Sequence, residues 1–139
     1  MQKKTQSEAM AAEHQSLGKR IASLRRLLEA AFSWDEARVA LAELRETLEA
    51  HFSMEEAGGY LAEVLAEAPE RTAAVAKLAS DHSRMRGTLA RLLAEALVAR
   101  SREDLTQNVH LFLVTLTDHE RRENELVHVT FAIDVAAGD

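Results

Sequence analysis

The chain contains no cysteine, one proline and five glycines, and its only aromatic residues are four phenylalanines, one tryptophan and one tyrosine, among 139 residues. Each shortage excludes something. Without thiols there can be no disulfide, zinc finger, iron–sulfur cluster or cysteine nucleophile, so any metal must be held by histidine and carboxylate. Positive charge is also short. With 17 Lys and Arg against 23 Asp and Glu, a net charge of -6 and no long basic cluster, the chain is not expected to bind nucleic acid. Long hydrophobic runs are missing as well: Met1-Gln2-Lys3-Lys4-Thr5-Gln6 leads into mixed polar sequence, and no later stretch approaches a membrane span. A soluble, cytoplasmic protein without a targeting signal or membrane partner is expected.

What remains is helix chemistry, because Ala, Leu, Glu and Arg dominate while Gly, Pro and β-branched residues are scarce. The length suits one domain spanning residues 1–139. Breakers and caps predict four long helices over about 7–32, 34–57, 70–100 and 102–132. Ser33-Trp34-Asp35-Glu36 reads as a capping box opening the second helix, and Ser101-Arg102-Glu103-Asp104 opens the fourth similarly. Gly58-Gly59 is expected to stop the second helix, a short 60–66 segment to add a turn, and Pro69 to start the third. The fold class expected is all-α, an up-and-down antiparallel four-helix bundle.

Each helix carries a seam at steps of three and four residues, the spacing that keeps one face toward its neighbours. The first runs Met10, His14, Leu17, Ile21, Leu24, Leu28, and the second Ala37, Leu41, Leu44, Leu48, His51, Glu55. The third runs Val75, Leu78, His82, Met85, Leu89, Leu92, Ala96, and the fourth Leu105, Val109, Phe112, Leu116, His119, Glu123, Leu126. Four histidines and two glutamates therefore fall on core-facing positions. A buried carboxylate is costly unless it is paired or binds a metal. A helical interaction module with satisfied core histidines would explain any one of these residues, but six such groups ask for a common explanation.

A shift of 68 residues superimposes the second half on the first: His14 on His82, Ser33 on Ser101, His51 on His119 and Glu55 on Glu123. The apolar seam follows, with Leu17 over Met85, Ile21 over Leu89, Leu24 over Leu92 and Leu48 over Leu116. Two helical hairpins related by a pseudo-twofold are expected. His14 lies 19 residues before Ser33 and His51 lies 18 after it, and the second hairpin repeats both counts around Ser101. At about 1.5 Å per residue the four imidazoles fall in one layer. Glu55 and Glu123 each lie one turn beyond a histidine on the same face.

Four imidazoles and two carboxylates suit first-row metals, and glutamates from opposite hairpins can bridge two ions. A dinuclear site held by His14, His51, Glu55, His82, His119 and Glu123 is expected, with zinc or manganese as possible substitutes for iron. A ferritin-like centre is not expected. That family needs Glu-x-x-His on two helices, and the residues three before the seam histidines are Ala11, Leu48, Ala79 and Leu116.

The matching residues are Glu13-His14, His51-Phe52-Ser53-Met54-Glu55-Glu56, Asp81-His82 and His119-Glu120-Arg121-Arg122-Glu123. In this pattern the chain resembles the hemerythrin-like HHE cation-binding family over nearly its whole length. The resemblance implies an up-and-down four-helix bundle with a non-haem di-iron centre near one end. It also implies one of the family's roles: oxygen carriage, oxygen or redox sensing, nitric-oxide-related chemistry or iron sensing. Oxygen carriers of the family have a second histidine four residues after the third-helix histidine, where this chain has Arg86. They also have an aspartate five residues after the last histidine, where this chain has Asn124, although Glu123 can do the bridging one position earlier. The four-histidine, two-glutamate set is closer to iron-sensing and uncharacterised bacterial members.

The reading is therefore a protein with two non-haem iron ions that binds O2 or a related small oxidant, in sensing or in a redox or iron response. An enzyme turning over peroxide or nitric oxide at the same centre is the alternative. With no fused output domain in the chain, a sensor signals through a protein partner or an oligomer face, neither of which the sequence identifies. His110 and His128 are assigned to the surface, Met54 and Met85 to packing, and Glu56 and Glu120 to solvated helix faces. For Arg86 and its repeat mate Gly18 two readings stand open. Either Gly18 leaves space beside the metals that admits a small ligand or the Arg86 side chain, or Arg86 snorkels to solvent and Gly18 relaxes helix packing.

Overall fold

The computed structural model describes the backbone of residues 2–57, 60–98 and 101–131, and side chains from residue 12 onward except that of Tyr60. Five helices and a 3-10 turn follow in order: α1 Gln2–Glu29, α2 Trp34–Glu56, α3 Tyr60–Glu67, the turn Pro69–Arg71, α4 Thr72–Val98 and α5 Arg102–Thr130. The four long ones match the expected helices, with shifts at their ends. α1 starts at Gln2 and not near residue 7, since the polar run before residue 7 holds no breaker. It closes at Glu29, where Ala30 N–H bonds the Leu27 carbonyl at 3.2 Å. α4 starts two residues late because Pro69 opens the 3-10 turn, in which Thr72 Oγ1 donates to the Pro69 carbonyl at 2.6 Å. The segment expected over 60–66 is the eight-residue helix α3, Tyr60–Glu67. Gly58 and Gly59 lie outside the described residues.

The caps form as their sequences require. Ser33 Oγ accepts from Glu36 N–H while Glu36 Oε1 accepts from Ser33 N–H, both at 3.1 Å. Ser101 Oγ accepts from Asp104 N–H at 3.1 Å. Short connections after Glu29 and Val98 then force two antiparallel hairpins. α2 packs on α1 and α4, and α5 packs on α4 and α1, so the bundle runs α1, α2, α4, α5 around its ring. α3 lies across α2, α4 and α5 and covers one end.

Every seam residue whose side chain is described is buried except His14, which is half-buried; the side chain of Met10 falls outside the description. Two apolar clusters result. The larger joins leucines of α1 and α2 to Met85, Leu89, Leu92, Leu105, Leu113 and Leu116. The smaller holds Leu61, Val64, Val75, Leu78 and Leu126. Each buried aliphatic side chain contributes roughly 1.5–3 kcal/mol of transfer free energy. Along α4 and α5 the titratable layer sits between Leu78 and Met85 and between Leu116 and Leu126, so the polar groups lie between two dry layers. Among the described residues no helix is long and apolar enough to cross a membrane.

Candidate metal centre

The seam histidines meet in two pairs. His14 of α1 and His51 of α2 have ring centroids 5.1 Å apart, and His82 of α4 and His119 of α5 have centroids 4.9 Å apart. Turn counting already places them at one level, and the ring order makes each pair a neighbour pair within its hairpin. Glu55 and Glu123, 1% and 0% exposed, stand between the pairs. Glu123 turns Oε1 toward His14 and His51, 3.5 Å from each Nε2, and Oε2 toward His82 at 3.4 Å and His119 at 3.1 Å. Glu55 does the same, with Oε1 2.5 Å from His51 Nε2 and Oε2 3.5 Å from His82 Nε2. Each carboxylate gives one oxygen to each histidine pair.

Two groups of donors follow, His14, His51, Glu120 and Glu123 in one and Glu55, His82, His119 and Glu123 in the other, each with its donor atoms within 4.8 Å of one another. The spacing suits a metal. Nitrogens about 2.1 Å from one ion and at right angles stand about 3.0 Å apart, and His82 Nε2 and His119 Nε2 are 3.1 Å apart. Proximity also exceeds pairing: Nε2 of His14 and His51 and both oxygens of Glu55 and Glu120 are buried with no hydrogen bond of acceptable geometry. Their lone pairs converge on shared space instead of on one another. Buried polar atoms left this way call for a ligand.

Electrostatics tell the same story. Burial is the largest single influence on the three imidazoles and lowers each, but the carboxylates together outweigh it. Glu120 and Glu123 raise His14 to about 9. Glu120, Glu123 and Glu55 push His51 up to about 12, and Glu123, Glu55 and Glu56 push His82 up to about 10. Burial raises the Glu55 carboxyl above its usual range, and the adjacent Glu123 adds to the rise. Glu123 resists burial because His119, His14, His51 and His82 surround it, and it is held far below the carboxylate range. The carboxylates thus favour positive charge on His14, His51 and His82, and the same field would favour a bound cation.

Glu56 and Glu120 are not the freely solvated carboxylates expected from their helix faces. Glu120 Oε2 lies 3.0 Å from His14 Nε2 and Oε1 lies 3.1 Å from His51 Nε2. Glu56, although exposed, sits 2.8 Å from His82 Nδ1 and receives Arg86 Nη1 and Nη2 at 3.2 Å each. On the other side His119 Nδ1 faces Asp81 Oδ2 at 3.4 Å, and Asp81 is held by Arg122 at 3.0 Å and by Arg84. Asp81 carries no seam signal; its one clue is its place beside His82. The reading of Arg86 as a cluster-facing side chain is overturned. It reaches Glu49 at 2.6 Å as well as Glu56, because α2 offers two carboxylates there. Gly18 leaves no needed space: it is exposed, and a Cβ there would meet nothing within 4 Å. His110 is half-buried and His128 exposed, both away from the donor groups, while Met85 packs in the larger core.

The fold and these donor groups define a helical bundle of the cation-binding class, with candidate His/Glu sites in its interior. The chain belongs to the hemerythrin family: the model described as the hemerythrin HHE cation binding domain matches residues 5–130. No curated protein and no solved structure matches the chain.

Proposed function

We propose that the chain is a non-haem di-iron protein that binds O2 or a related small oxidant and serves in sensing or in a redox or iron response. The observation that carries the dinuclear reading is the pair of carboxylates, Glu55 and Glu123, each with one oxygen toward His14/His51 and the other toward His82/His119. His14, His51, Glu55, His82, His119 and Glu123 would hold the metals. When bound, iron supplies one-electron redox chemistry and an exchangeable position for a small ligand. The chain's own residues do the rest. Glu55 and Glu123 would offset half the formal charge of two divalent ions, and the apolar layers on both sides would keep water out and strengthen every interaction between them. Sensing or redox response is favoured over carriage because Arg86, at the place of the carriers' extra histidine, is turned to Glu49 and Glu56 and offers no donor to the centre.

Anaerobic reconstitution with ferrous iron, metal analysis and an aerobic optical titration test this reading. About two ions per chain and ready conversion to a ferric form on oxygenation are expected. A single tightly bound ion would refute the dinuclear site, and a long-lived, fully reversible oxygen complex would refute the preference for sensing or redox chemistry.

A further inference from the structure

The side of α5 that points away from the bundle carries a pattern the metal centre does not use. Residues 105–117 hold no Asp, Glu, Lys or Arg, the longest such run in a chain of which 29% is charged. Leu105, Val109, Phe112, Leu113 and Leu116 of that run are buried in the core. Leu111 and Val114 are not: they are 61% and 63% exposed and stand side by side one turn apart. A stretch of helix that is apolar on every side is expected to be covered on every side. Grooves flank this ridge. One of about 670 Å³ opens toward the end of α1, where Ala31 and Phe32 line it, and one of about 610 Å³ opens toward α4, where Leu92 and Phe112 line it; Leu111 borders both.

Charges at the two ends of the ridge select what covers it. At about 100° per residue, Gln107 and Asp118 lie near the midline between Leu111 and Val114, and Glu103, Asp104, Arg121 and Arg122 lie about 50° to either side. Arg122 is half-buried and the other five are exposed. The end before the ridge is thus acidic, and the end beyond it offers two guanidinium groups. Within the chain Arg121 holds Asp118 and Glu125, and Arg122 holds Asp118 and Asp81. Each guanidinium has five N–H donors, so both keep capacity for a further carboxylate.

We propose that a second copy of the chain covers this face, the two α5 helices lying antiparallel about a twofold axis that passes between Phe112 and Leu113. Leu111 then lies opposite the partner's Val114. In the same register Glu103 faces the partner's Arg122, Asp104 the partner's Arg121 and Gln107 the partner's Asp118, and the symmetry makes each pair occur twice. The ridge of each copy enters a groove of the other, as in other helix pairs. Nearby registers set like charges together. An axis through Leu111 puts Asp104 against the partner's Asp118, and an axis through Val114 puts Glu103 against the partner's Glu125. A parallel pair puts Glu103 and Asp104 against their own counterparts. Like charges placed opposite one another are costly, so the charged ends fix both the direction and the register of the apolar contact. The proposal stands apart from the di-iron reading, because none of the residues it uses was assigned to the metals.

Analytical ultracentrifugation of the full chain tests the proposal, with circular dichroism to check that each variant is folded. Wild type should sediment at twice the chain mass in the micromolar range. Leu111→Lys and Val114→Lys alter exposed positions at the centre of the contact, and each should raise the dimer dissociation constant at least about tenfold. Because the chain has no cysteine, Gln107→Cys and Asp118→Cys each introduce a single thiol. The register brings residue 107 beside the partner's 118 and keeps like positions about 16 Å apart, beyond the reach of a disulfide. An oxidised mixture of the two variants should therefore form a linked dimer, and either variant alone should not. Wild type that stays monomeric up to about 1 mM would overturn the proposal and leave the face to a different protein. A dimer untouched by both lysine substitutions would place the contact elsewhere and overturn it as well. Cross-linking no greater in the mixture than in the single variants would refute the twofold register.

Discussion

The most direct probe of how the chain prepares its histidines is Glu56, which supports His82 from behind. Its Oε2 lies 2.8 Å from His82 Nδ1, and Arg86 grips the same carboxylate with two nitrogens at 3.2 Å. Phe52 covers one face of the His82 ring, and the Arg86 guanidinium carbon lies 5.2 Å from the Phe52 centroid. Edge and face of the imidazole are both fixed. With the proton held on Nδ1, the Nε2 lone pair is kept for the space shared with His119, Glu55 and Glu123. Burial alone would raise the Glu56 carboxyl, but Arg86 and His82 hold it below the usual range, so it is an anion at neutral pH.

Glu56→Gln keeps an acceptor for Nδ1 and removes the charge. A charge-assisted hydrogen bond is about twice as strong as a neutral one, a difference of about 1 kcal/mol, or about fivefold in affinity for the His82-bearing position. Glu56→Ala removes the acceptor as well and should cost about 10- to 100-fold, toward the lower end because Glu56 is 36% exposed. Anaerobic competition titration of both variants resolves these changes, and circular dichroism of the apo forms checks that the bundle is intact. Folded Glu56→Ala protein with both binding steps within about twofold of wild type would refute the reasoning.

Chelation should lower the melting temperature, because metals bind the folded site preferentially. At 100 times the dissociation constant one ion adds about 2.7 kcal/mol, so a drop of several degrees per site is expected, and equal melting of verified apo and loaded samples would contradict it. The metal-free protein should lose stability as pH rises from 6.5. The pKa values of His14 and His82 are raised in the folded state to about 9 and about 10. The stability they contribute is fully present below the unfolded value of 6.5 and is lost as pH climbs through those folded values. Chemical denaturation of apo protein at pH 6, 8 and 10 gives the slope, and a rise over that range would refute the assignment. Ser33→Ala removes the Oγ that accepts from Glu36 N–H, leaving the backbone N–H of residue 33 on Glu36 Oε1, and should cost about 0.5–2 kcal/mol. Since the cap lies about 27 Å along the helix from His51, metal stoichiometry should stay at the wild-type value, and a loss of metal would show that the cap and the site are coupled.

The sequence by itself determined the four long helices, their buried seams and the six polar groups that share one layer. The physical reason is locality. A 3.6-residue period fixes which side chains share a face, and equal counts from Ser33 and Ser101 fix their height, so His14, His51, His82, His119, Glu55 and Glu123 could be placed without knowing how the helices cross. Only the tertiary structure decided what happens one residue off the seam. Glu120 and Phe52 stand about 100° from their neighbouring histidines, where the next helix, not the residue's own, determines whether a side chain meets solvent or an imidazole. Arg86 was equally open until α2 brought Glu49 and Glu56 beside it, because a long cation goes where its nearest anions are. Asp81 acquires its place behind His119 only when α4 and α5 pack together, since such a bond spans two helices and leaves no period in either.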